Sequence, residues 1–341
     1  MKKIKLLFSL ILLPVMVVFA SPPVFTGGET ISPPTLSATL DAGMLETLYL
    51  THTKADIAAN RNPEQGLPDW AGFSIKTYIT PDISGSLLSW PEGGKSWVIR
   101  ATSPGAPTLS LVIEDANLAP NSILYVYSED NPTQYYAIKA EEIVSGYIST
   151  PPALGDALII EYYEPDAANK LQGSFAITDL VIIVNGYEAF RTDTKSLGNA
   201  DECLININCE EGDNWQNEKR GIARLLLRAG TQWFWCSGTL VNNTARDGTP
   251  FFLTADHCGA NASAADRNVW QFFFNFERPG CADVGEPPEN VLTGCQLRAR
   301  GPIAGGSDFQ LVELNLSPPE SWNPFFNGWD RTRTTSPSGV G

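Results

Sequence analysis

Apolar and polar residues alternate in short blocks through most of the chain, with little helical periodicity. Phe73–Ile79, Ser96–Arg100, Leu109–Ile113, Ser122–Tyr127, Gln134–Ile138, Ala157–Tyr163 and Asp179–Val184 each carry the two-residue rhythm or the apolar run of a strand. Turn-rich segments such as Glu129–Pro132 and Ser149–Gly155 divide them. Strands at this spacing predict an all-β, β-sandwich-like module over residues 71–190. A second set follows at Gly221–Arg228, Gln232–Val241, Phe251–Ala255, Asn268–Phe276 and Phe309–Asn315, which reads as one antiparallel barrel. Residues 21–70, rich in Pro, Gly, Ser and Thr, form a leader, and the polar stretch 191–202 reads as a linker or processing region, with Arg191 and Lys195 as candidate cleavage points.

Composition narrows the function. The 341-residue chain has a net charge of −15, of which residues 21–196 hold −12, residues 197–341 hold −6 and residues 1–20 hold +3. No basic surface is evident, which argues against nucleic acid as a partner. Residues 1–20 join a basic start to an apolar run ending at Ala20, the pattern of a signal peptide, and no later stretch is long and apolar enough to span a bilayer. The expected location is therefore secreted, periplasmic or at the cell surface, without stable membrane insertion once the signal is removed. All six cysteines, Cys203, Cys209, Cys236, Cys258, Cys281 and Cys295, lie in the second module, which reads as a disulfide-stapled unit after an unstapled one. Zinc is the rival use; adjacent His257 and Cys258 are poor joint ligands and no Cys-x2-Cys spacing occurs, so no metal or other cofactor is expected.

The candidate chemistry centres on two cysteine-bearing strands, Cys236–Val241 and Phe251–Cys258, with His257 beside the second cysteine. Thr254-Ala-Asp-His-Cys258 resembles the region around the active-site histidine of trypsin-like (chymotrypsin-fold) serine peptidases. Cys203-Leu-Ile-Asn-Ile-Asn-Cys209, Cys209-Glu-Glu-Gly-Asp213 and Ser307-Asp-Phe309 resemble, in the same order, motifs of the bacterial secreted lysyl-endopeptidase branch. The resemblance covers roughly residues 200–335. It implies His257 as general base and Asp308 as the carboxylate that orients it. It also implies disulfides Cys236–Cys258 and Cys209–Cys281. Cys203 then has a partner beyond this sequence, bonds to Cys295, or is left unpaired together with it.

The same resemblance makes residues 71–190 a propeptide module partnered with its own peptidase domain at 203–341, and makes peptides or proteins the substrates. The family's nucleophile lies in a glycine-rich turn of a second barrel, which is expected to be missing or incomplete here. Ser237, Ser307 and Ser338 lack that setting. The chain is thus expected to be a serine endopeptidase precursor, with a lysine preference by resemblance only, and inactive in the form given. The alternative is a non-catalytic secreted binding or adhesion protein with a degenerate protease-like domain. Trp90, Trp97, Tyr135 and Tyr136 are either a binding face or core, with core favoured. Asp256, where the family has a small residue, either raises the imidazole pKa or faces solvent, the latter being favoured. His52 is expected to be an exposed histidine on the leader.

Overall fold

The computed structural model describes residues 33–37, 45–53, 56–57, 68–91, 93–132, 134–167, 169–187, 205–282 and 290–330. The signal peptide, the processing stretch, Cys203 and Ser338 lie outside them. Among the described residues the protein is all-β in outline, built from two sheets with the four-residue helices α1 (Pro34–Ser37), α2 (Asp256–Gly259) and α3 (Ala264–Arg267) beside them.

The first sheet has six strands: β1 (Thr47–Tyr49), β3 (Ser86–Ser89), β4 (Lys95–Thr102), β6 (Ile123–Ser128), β7 (Tyr135–Lys139) and β10 (Ala157–Glu164). Its order is β1-β4-β10-β6-β7, with β3 on β4 and only β1 parallel to its neighbour. The second sheet has twelve strands and spans both halves of the chain. Its early strands are β2 (Asp69–Ile79), β5 (Thr108–Asn117), β8 (Ile148–Ser149), β9 (Ala153–Leu154) and β11 (Ser174–Ile183). The later ones are β12 (Ile222–Ala229), β13 (Gln232–Val241), β14 (Phe251–Thr254), β15 (Gln271–Phe274), β16 (Asn290–Thr293), β17 (Cys295–Gly301) and β18 (Phe309–Leu314).

The early and late strands are joined through β2 and β13. Their antiparallel register sets Gln232 opposite Phe73, Trp233 opposite Gly72, Phe234 opposite Trp70 and Trp235 opposite Asp69. Gly72 is required at that junction, since a Cβ there would stand 1.9 Å from the Ile182 carbonyl oxygen of β11. Beyond Cys236 the same strand β13 leaves β2 and pairs with β14 from Gly238 to Val241.

This junction gives the two halves a shared core. Trp97, Leu124, Ile160 and Tyr162 of the first sheet face Leu111, Ile177 and Leu180 of the second, and Leu226, Trp233, Trp235, Phe273 and Val291 from the later half belong to the same cluster. A second cluster gathers Leu225, Leu240, Phe252, Phe272, Leu292, Cys295 and Val312, one from each of the seven late strands. Strands β12, β15 and β16 are therefore buried on both faces. Their runs Leu225-Leu226-Leu227 and Phe272-Phe273-Phe274 lack alternation for that reason.

Several polar groups at the junction are paired. The indole N–H of Trp233 donates to Ser74 Oγ at 2.9 Å, that of Trp70 to Gln232 Oε1 at 2.9 Å, and that of Trp235 to the Asn185 carbonyl at 2.7 Å. Gln271 Nε2 donates to Ser149 Oγ and the Thr150 carbonyl. The buried Arg228 guanidinium stands 2.8 Å from Asp266 in its own half and 3.6 Å from Asp179 in the other.

Of the aromatics weighed as a binding face, Trp97 and Tyr136 are core residues, while Trp90 is half-buried and donates to Ser96 Oγ. His52 is half-buried rather than free on the surface: Nδ1 is 2.7 Å from Ser103 Oγ and the ring meets Phe73 edge-on. Among the described residues no helix is long and apolar enough to cross a membrane.

Candidate functional site

The site is assembled where β13, β14 and β18 meet. β14 runs beside β13 on one edge and β18 on the other, and it ends directly before α2. The helix is a single turn, Asp256-His-Cys-Gly259, so its side chains leave in all directions. Cys258 points inward and is bonded to Cys236 on β13, with Cα atoms 6.1 Å apart. Gly259 lies against the Trp270 ring, where a Cβ would come within 2.4 Å. His257 faces outward, its side chain 30% exposed.

Asp308 approaches from the turn before β18. It has a φ of +47°, a left-handed conformation uncommon outside glycine, asparagine and aspartate, and this aims its carboxylate back at α2. Oδ2 lies 2.7 Å from His257 Nδ1, and Oδ1 accepts the His257 backbone N–H at 2.9 Å. The bonds from the imidazole and from the backbone hold the Asp308 carboxyl below its ordinary range, and the desolvation at this half-buried position opposes them.

Two bonds from one carboxylate fix both the backbone and the ring of one residue. The ionised carboxylate accepts from Nδ1–H, so the neutral imidazole carries its lone pair on Nε2. Among the described residues nothing is hydrogen-bonded to Nε2, and no described serine donates to it. Chemically this is an oriented base, able to accept a proton from a hydroxyl placed at Nε2.

Asp256 does not face solvent. It is 1% exposed, with Arg300 Nε 2.7 Å from Oδ1 and Arg300 Nη2 donating to Oδ2 at 2.7 Å. The partner lies 44 residues away on β17, a separation that no local pattern bridges.

Cys209 is bonded to Cys281, and their Cα atoms are 4.5 Å apart. Cys295 is a free, buried cysteine packed in the second core, and Cys203, its alternative partner, lies outside the described residues. Burial pushes its thiol strongly up. Cys236, His257 and Cys258 bring ligand-type atoms within 4.8 Å of one another, but both sulfurs are spent in the disulfide and offer no thiolate to a metal.

An oriented histidine on a disulfide-pinned turn of an all-β protein is an arrangement suited to acid–base chemistry in hydrolysis. Comparison with known proteins narrows the class: residues 197–341 match the family described as lysyl endopeptidase, C-terminal domain. A lysyl endopeptidase of Pseudomonas aeruginosa is 24% identical over 289 residues, covering 81% of this chain. The chain spans 61% of the length of that relative. These similarities relate the chain to lysyl endopeptidases.

Proposed function

We propose that the chain is an exported serine endopeptidase precursor in which His257 is the general base and Asp308 the carboxylate that orients it. The observation that carries this reading is the 2.7 Å contact between His257 Nδ1 and Asp308 Oδ2, which leaves Nε2 free to take a proton. The reading requires a serine hydroxyl delivered to Nε2 and backbone N–H groups to receive the oxyanion. Cleavage after lysine is proposed from the name of the similar Pseudomonas protein alone.

In this reading residues 1–20 are the signal peptide and 21–70 a leader, with a propeptide module at 71–190, a processing stretch at 191–202 and the peptidase domain at 203–341. The shared cluster of the seven late strands supports a first barrel of a chymotrypsin-like fold. The paired strands β2 and β13 support a propeptide that packs on its own peptidase domain.

The test is reaction of a form of the exported protein that carries the family's serine turn with a fluorophosphonate probe, followed by mapping of the modified residue. A labelled serine, with labelling abolished by His257→Ala, is the expected result. An unlabelled parent protein that also fails to cleave lysyl peptides contradicts the proposal.

A further inference from the structure

The carboxylate of Asp256 is almost fully buried beside the candidate base, its partner Arg300 is 36% exposed, and only the backbone of Asp256 reaches Asp308. Asp256 is 1% exposed, a position that an ionised carboxylate keeps only with a close, well-placed cation. Arg300 supplies that cation, and it does more. Nη2 donates to Asp256 Oδ2 at 2.7 Å while Nη1 donates to the Ala260 carbonyl at 3.0 Å. Asp256 opens α2 and Ala260 is its C-terminal cap, so one planar guanidinium grips both ends of the turn that carries His257.

Arg300 is anchored equally well at its other end. It lies on β17 opposite Gln310 of β18, and the next pair, Gly301 and Phe309, directly adjoins Asp308. The ion pair thus ties α2 to the hairpin that supplies the orienting carboxylate, in parallel with the bond between His257 and Asp308. Two side chains of opposite charge on separate elements hold the geometry on which a 2.7 Å contact depends.

We infer that Asp256 and Arg300 are positioning residues: their ion pair clamps the His257 turn against the Asp308 hairpin, so that the imidazole keeps the orientation that frees Nε2. The inference rests on the reading of His257 as the base and adds to it how the base is held.

Nitrogen-15 NMR of the intact protein reads this without requiring turnover. The chain has two histidines, so His257 is assigned by its disappearance in His257→Gln and by the persistence of the His52 signal. In the parent the neutral His257 ring is expected to be mostly the Nδ1–H tautomer, with a protected proton. Arg300→Met is expected to shift the ring toward the Nε2–H tautomer and to speed Nδ1 proton exchange roughly tenfold, as local opening becomes easier. Arg300→Lys keeps the charge but not the fork, and should fall between the two.

Arg300→Met leaves a buried carboxylate unpaired and risks misfolding, so Asp256→Asn combined with Arg300→Met is the second variant, with no charge left stranded. A double variant that folds and still loses the tautomer preference supports the clamp. A double variant that melts lower but keeps the parent tautomer and exchange rate overturns it, because the pair is then structural only. A parent spectrum without the Nδ1–H tautomer overturns the base reading itself, which is a separate outcome.

Discussion

The indole N–H of Trp233 is donated to Ser74 Oγ at 2.9 Å across 159 residues of sequence, with both side chains buried. Ser74→Ala would leave a fully buried donor without a partner, at a cost of about 1–3 kcal/mol. Because Trp233 belongs to the shared core, we expect one denaturant transition whose midpoint falls for the whole protein. Two transitions, with only the first half weakened, would show that the halves unfold independently.

Gly72 tests the same junction through the backbone. A methyl group there meets the Ile182 carbonyl at 1.9 Å, and β2 cannot retreat because β13 holds its other edge. Gly72→Ala is expected to destabilise the protein by more than the ~1 kcal/mol typical of point substitutions and to raise amide exchange in Gln232–Trp235. Unchanged exchange in that stretch would contradict the pairing of β2 with β13.

The strands were legible in sequence where one face is buried and the other wet. β7, Tyr135–Lys139, alternates and was readable as such. β17 was not readable, since five of its seven residues are exposed and its pairing comes entirely from β18. The junction of the two halves was hidden for a different reason. Trp233 and Trp235 look like ordinary inward residues of their own unit, and nothing local says that they face Leu226 and Ala71 in a core built by both halves. At the site, His257 and Asp308 were named from motifs, and the structure brings them together. Asp256, expected to face solvent, is buried because its charge has a partner that only the fold supplies.

Cys295 gives a chemical test of the second core. Buried, unpaired and with a thiol pushed strongly up, it has no thiolate to react. Iodoacetamide is expected to leave it unmodified in the native protein and to modify it once denaturant is added, while Cys209, Cys236, Cys258 and Cys281 react only after reduction. Rapid native modification of Cys295 would place it outside the core.

The acid limb of stability carries the sign of Asp308. Its folded carboxyl titrates below the ordinary 3.8, so its contribution is fully present above that value and is lost as pH falls through the lowered one. Asp308→Asn is expected to flatten the pH dependence of unfolding below about pH 4, where this group titrates, and to leave its shape above pH 6 unchanged. An acid limb identical to the parent's would show that the carboxylate gains nothing from His257.

Hydrolysis of a lysyl peptide by a form of the protein that carries the family's serine turn, compared with its Asp308→Asn variant, addresses the central claim most directly. In serine–histidine–aspartate sites this exchange reverses the imidazole tautomer and lowers kcat by about 10^4-fold. We expect a loss of that order in kcat with KM little changed. Equal rates for parent and variant would contradict the assignment of His257 and Asp308 as the base and its orienting carboxylate.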